Sequence, residues 1–188
     1  YGSGRSRNNP RLRHMAQILR SYGIGTLLCE LLTEDEEIDD EATEHFRHDA
    51  ELLAKRLVQV TEWASSQPEA ANLPMGYFGA CAGGAAAIIA AARLQSKVGA
   101  VVSRGGRMDL AVKALPKVKC PTLLIVGEND TVGLELNREA MERLTCEKRL
   151  IEVAGAAHLF GEPGKHEEMA ELSAEWFHKH LGKLAHHT

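Results

Sequence analysis

Near the middle of the 188-residue chain, the pentapeptide Gly79-Ala80-Cys81-Ala82-Gly83 places a thiol between two glycines. The apolar run "LPMGYFGA" (73–80) leads into it and an alanine-rich run follows. A cysteine at a strand-to-helix turn stands at the positive end of the helix dipole, which favours the thiolate, its nucleophilic form. Small residues two positions before and two after are what so sharp a turn demands, because larger side chains would collide with the crossing backbone. A plainer reading is also open: cysteine is a common buried small residue, and glycine eases strand–helix packing. Two later stretches bear on the choice. "LLIVGENDTV" runs from an apolar segment into Asp130, and "IEVAGAAHLF" runs from another into His158. With parallel strands, both side chains emerge at the carboxyl edge beside Cys81, in the chain order nucleophile, acid, base. Taken singly, Asp130 reads as a helix N-cap and His158 as a loop residue.

The elements that must position these residues are legible as a pattern. Nearly continuous apolar runs at 23–31, 73–80, 98–105, 121–129 and 148–155 read as buried parallel strands. Amphipathic segments alternate with them, as expected of a sheet covered by helices on both faces. Pro10 suits a first helical position, and Leu12, Met15, Ile18, Leu19 and Tyr22 keep helical spacing up to Gly23. The segment 46–65 is expected to bury Leu52, Leu53, Leu57, Val58 and Trp63, and two more helices follow at "GLELNREAMERL" and "HEEMAELSAEWFHKHL". Eight carboxylates crowd the eleven residues from Glu34 to Glu44. Calcium-loop spacing is missing there, so this stretch reads as a solvated, mobile loop and no metal site is expected.

Composition narrows the function classes. Hydrophobic residues make up 44% of the chain, enough for the core of a single domain over 1–188. A net charge of −4 is too small to point to nucleic acid or an anionic membrane surface. Cys29, Cys81, Cys120 and Cys146 match neither a CxxC motif nor a disulfide framework, so a reducing, cytoplasmic setting is the expectation. No apolar run approaches the roughly 20 residues of a membrane span, and nothing near Tyr1 reads as a signal peptide. "YGSGRSR" lacks the endings of a phosphate loop, and no cofactor is implied. Arg104 and Arg107 in "SRGGR", and Arg5, are candidates for contact with an anionic substrate group, with structural ion pairs as the alternative. His45, His48, His178, His180, His186 and His187 read as surface residues.

With "GYFGACAGG", "VVSRGG", "PTLLIVGENDTV" and "GAAHLF" in this order, the chain resembles the α/β-hydrolase superfamily and, within it, the dienelactone-hydrolase-like family. The resemblance implies Cys81 as nucleophile, His158 as general base and later acid, and Asp130 as the group orienting His158. It also implies an oxyanion hole formed by the backbone N–H of Ala82 and, from the "YGSGRSR" loop, that of Ser3. Tyr1 stands where such hydrolases usually carry histidine, and the glutamate that dienelactone hydrolases proper place in this loop is absent. In this superfamily a strand leading into that loop lies between 23–31 and 73–80, so the domain is expected to be N-terminally incomplete. The implied partner is a small ester, lactone or thioester, met by a monomer or homodimer. Acyl transfer at the same site and a non-catalytic binding protein on a hydrolase scaffold remain open alternatives.

Overall fold

A computed structural model describes residues 9–182. Four parallel strands, β1 (Met75–Ala80), β2 (Val98–Arg104), β3 (Thr122–Gly127) and β4 (Lys148–Val153), form one sheet in the order β1-β2-β3-β4. The two inner strands are the most buried, and β3 is buried at every position, which accounts for its continuous run of Leu, Ile and Val. Alternate side chains feed opposite faces. Val101 and Leu124 join the core beneath α3 (Ala50–Ser65) and α4 (Ala82–Leu94). Ala100, Val102, Leu123 and Ile125 pack on the other side, with Met169, Ala174 and Phe177 of α6 (Lys165–Leu181). Helix α1 (Pro10–Ser21) docks on α6 through Met15 and Leu19, starting from an Asn9 side chain that accepts the Arg11 N–H. Helix α5 (Thr131–Arg143) crosses from β3 to β4 on the α4 side.

Three expectations are corrected. Residues 24–30 have no regular secondary structure and do not form a strand: β1 is an edge of the sheet, and no described strand lies beside it to complete a ladder. The apolar character of the segment serves packing instead: Cys29 and the following Leu31 pack into the α3–α4 core and Ile24 against the opposite one, while Leu27 is 56% exposed. The acidic stretch is a helix, α2 (Glu34–Thr43), and not a mobile loop. Thr33 and Glu36 form a reciprocal capping box, and Glu36 also receives Arg56 Nη2 at 2.6 Å, which holds its carboxyl down at about 2. Asp40 is buried and takes Arg47 Nε at 2.6 Å, so two of the eight carboxylates are structural anchors. Finally, Trp63 faces solvent; the buried stripe of α3 runs through Ala50, Leu53, Ala54 and Thr61, whose hydroxyl meets Tyr77 Oη at 2.6 Å. The helix itself begins at Ala50, preceded by a single 3-10 turn at Phe46–His48.

Among the described residues, no helix is long and apolar enough to cross a membrane. No cluster of three His, Cys, Asp or Glu able to hold a metal occurs among them either.

Candidate active site

Cys81 is the single residue between β1 and α4, with φ 52° and ψ −123°. Side chains other than glycine's rarely adopt this conformation, and here three backbone hydrogen bonds impose it. Its N–H donates to the Arg104 carbonyl at 3.2 Å, and its own carbonyl accepts the N–H groups of Gly84 (3.1 Å) and Arg107 (3.0 Å). The strand reaches the first turn of α4 so closely that a Cβ on Gly79 would lie 2.2 Å from the Gly83 carbonyl oxygen. The reversal leaves Sγ at the N-terminus of α4, 3.2 Å from His158 Nε2.

Asp130 divides its two oxygens between two tasks. Oδ1 accepts the Gly133 N–H at 3.0 Å and caps α5, while Oδ2 lies 2.6 Å from His158 Nδ1. The N-cap reading and the orienting reading are thus both satisfied. His158 sits in the loop after β4, and that loop is fastened from outside. Arg104 Nη1 donates to the His158 carbonyl at 2.8 Å, and Arg11 Nη2, from α1, donates to the carbonyls of Leu159 (2.6 Å) and Phe160 (2.5 Å). Phe160, with φ 53° and 1% exposure, anchors the loop in the core. The imidazole lies over Gly105, itself at φ 52°, where a Cβ would stand 3.1 Å from Cε1. Gly105 therefore makes room for the ring as well as for the turn.

The electrostatics follow from these contacts. Burial opposes ionisation of Cys81, but the hydrogen bond with His158 and the positive charges of Arg104 and His158 outweigh it, so the thiol is held below its ordinary value. The hydrogen bonds to Cys81 and Asp130 outweigh partial burial at His158 and push it up to about 9. The two shifts favour the same state, a thiolate facing an imidazolium, and the pair titrates as a unit. The other buried thiols behave oppositely: desolvation raises Cys29 and takes Cys120 to about 11.

Cys81, Asp130 and His158 are brought together as the sequence suggests. Ala82 is the first residue of α4, so its N–H is one a helix leaves without an intrahelical acceptor. Arg104 lies at the site, directed at the His158 carbonyl and over the Phe160 ring at 5.9 Å. Arg107 forms a two-pronged pair with Asp109, at 2.9 and 2.7 Å. Ser3 and Arg5 lie outside the described residues. Arg11 and Gly105 were not singled out by sequence. Gly105 has a weak local signal, a Gly-Gly pair after a strand; Arg11 has none, because its partners are 148 and 149 residues away.

Residues 11–185 match the dienelactone hydrolase family. The chain belongs to that family. The crystal structure of a dienelactone hydrolase from Anabaena variabilis superposes on this chain with a TM-score of 0.92 at 50% identity, covering 96% of this chain and 83% of the other. Est1E from Butyrivibrio proteoclasticus shares the fold at 13% identity, with a TM-score of 0.72 over 94% of this chain and 85% of its own. Two proteins from Mycobacterium tuberculosis strains CDC 1551 and H37Rv are 49% identical over 181 residues, 96% of this chain. Their names carry a provisional phosphoribosyl transferase assignment, and the chain spans only 40% of their length.

Proposed function

We propose that this hydrolase cleaves a small activated ester, lactone or thioester by acylating Cys81. The observation that carries the reading is the unbroken line Cys81 Sγ to His158 Nε2 (3.2 Å) and His158 Nδ1 to Asp130 Oδ2 (2.6 Å). The Cys81 thiolate attacks the carbonyl carbon, and negative charge builds on the carbonyl oxygen, where the Ala82 N–H is placed to stabilise it. The intermediate collapses: the bond to the leaving oxygen or sulfur breaks, and that atom takes the proton from the His158 imidazolium. Neutral His158 then removes a proton from water, the hydroxide attacks the thioester carbonyl, and the Cys81 thiolate departs as the acid is released. Asp130 holds His158 in the tautomer and orientation that both halves require. Because a thiolate is itself a good leaving group, the site suits substrates whose own leaving group is better than an amine. Residues 11–185 match a hydrolase family and the chain spans only 40% of the mycobacterial relatives, which favours ester chemistry over the transferase named for those longer proteins.

Intact-mass spectrometry after mixing with p-nitrophenyl acetate tests the reading. A transient gain of one acetyl group on Cys81, absent in Cys81→Ala, is expected. Turnover unchanged in that variant would exclude Cys81 as nucleophile. Adding an alcohol acceptor and analysing the products separates hydrolysis from acyl transfer.

A further inference from the structure

Arg104 is an odd cation. It ends β2, in register with Ala80, the residue before Cys81, and its backbone carbonyl holds the Cys81 N–H. Its guanidinium turns inward against the Phe160 ring and donates to a neutral acceptor, the His158 carbonyl. Among the described residues no carboxylate lies within ion-pair distance of it, whereas Arg107, Arg47, Arg56, Arg93 and Arg138 each have one. A cation largely removed from water needs a compensating charge. The anionic form of Cys81 is the group placed to supply it, and burial, which pushes Arg104 down, is opposed first by Cys81.

We propose that Arg104 is a second counter-ion for Cys81, so that the resting thiolate is balanced by both the His158 imidazolium and the Arg104 guanidinium. The inference rests on the reading of Cys81 as nucleophile. It adds that activation of the thiol does not depend on His158 alone. The other charged groups facing Cys81 do not replace Arg104. The Asp130 carboxylate lies behind the imidazole and opposes the thiolate, Arg107 is tied to Asp109, and Arg11 reaches the same loop only at the carbonyls of Leu159 and Phe160. The N-terminus of α4 contributes a partial charge and no proton.

The test is the pH dependence of Cys81 alkylation by iodoacetamide, followed by mass spectrometry on the full chain, in wild type, Arg104→Gln, His158→Ala and the double variant. In this reaction the thiolate displaces iodide, so the rate follows the thiolate fraction whether or not esters turn over. Arg104→Gln is expected to raise the midpoint by about one pH unit, about tenfold less thiolate below it. The decisive comparison uses the His158→Ala background, where misplacing the loop no longer matters. A similar rise there is the expected result. Superimposable profiles for His158→Ala and the double variant would overturn the proposal and reduce Arg104 to a prop for the loop. Circular dichroism checks folding. Should Arg104→Gln fail to fold, His158→Ala alone still decides against the proposal if its midpoint lies at or above the ordinary thiol value of about 8.5. An acyl adduct absent from Cys81 would defeat the proposed function without altering these profiles.

Discussion

The turn carrying Cys81 and the loop carrying His158 meet at 3.2 Å, yet different forces hold them. The β1–α4 turn is fixed by hard sterics: two glycines, a crowded crossing and a φ of 52° leave the backbone no other path. The β4–α6 loop is fixed by side chains from elsewhere, Arg11 of α1 and Arg104 of β2, each giving its hydrogen bonds to loop carbonyls. Steric exclusion costs several kcal/mol to violate, whereas a hydrogen bond contributes a net ~1 kcal/mol. The nucleophile is therefore placed rigidly and the base adjustably, which suits a ring that serves first as acid and then as base.

Substitutions at the two sites sharpen that contrast. Gly79→Ala is expected to have the largest effect, destabilising the protein by about 3 kcal/mol or more, because its methyl group meets backbone 2.2 Å away. A denaturant midpoint close to wild type would show the turn to be softer than argued. Arg11→Met should act on the base alone. Losing two loop hydrogen bonds is expected to cost about tenfold in kcat and to speed amide exchange in residues 157–163, leaving amide exchange in the Cys81 turn at residues 79–84 nearly unchanged. Equal acceleration of exchange in the loop and in the turn would mean that the two regions are not separately held.

The pH profile probes the pair together. His158 is raised, so its imidazolium is complete below its ordinary value and is lost as pH climbs through about 9. Cys81 is lowered, so its thiolate appears below the ordinary thiol range. Acylation should therefore peak between the two and fall on an alkaline limb near pH 9. Asp130→Asn should move that limb to lower pH, because it removes one of the contacts that raise His158. A limb that stays put would separate Asp130 from the proton equilibrium. The smallest effect expected is at Cys81 itself. Cys81→Gly should be about 1 kcal/mol more stable than Cys81→Ala by thermal denaturation, since glycine alone occupies this positive φ freely.

The contrast also explains what could be read from the sequence. The turn is local, so its requirement for small residues is written at Gly79 and Gly83, and strands β1 to β3 show as apolar runs because they are packed on both faces, whereas β4 exposes Lys148, Arg149 and Glu152 and shows only through Leu150, Ile151 and Val153. Asp130 and His158 were legible for the same reason, each closely following a strand. The apolar run at 23–31 misled because apolarity shows a need for burial and not a hydrogen-bonding partner, and burial is met through Ile24, Cys29 and Leu31. At α2 charge density outweighed a signal present in the sequence, the Thr33-to-Glu36 capping box. Trp63 falls among apolar residues at helical spacing in 46–65, yet it lies off the buried stripe of Ala50, Leu53, Ala54 and Thr61. Nothing local marks Arg11 or Arg104 as fasteners of the His158 loop, because donor and acceptor belong to distant segments.

That distance sets an order in time. The Arg11 bonds close a separation of 148 residues, against 77 for Cys81 and His158 and 28 for Asp130 and His158. Contacts of wide sequence separation carry the largest closure entropy and form late unless strongly favoured. On a chain emerging from synthesis, Arg11 waits for nearly the whole sheet before its acceptors exist. Ester turnover should thus appear only with the docking of α1 on α6, lagging behind the recovery of secondary structure on refolding.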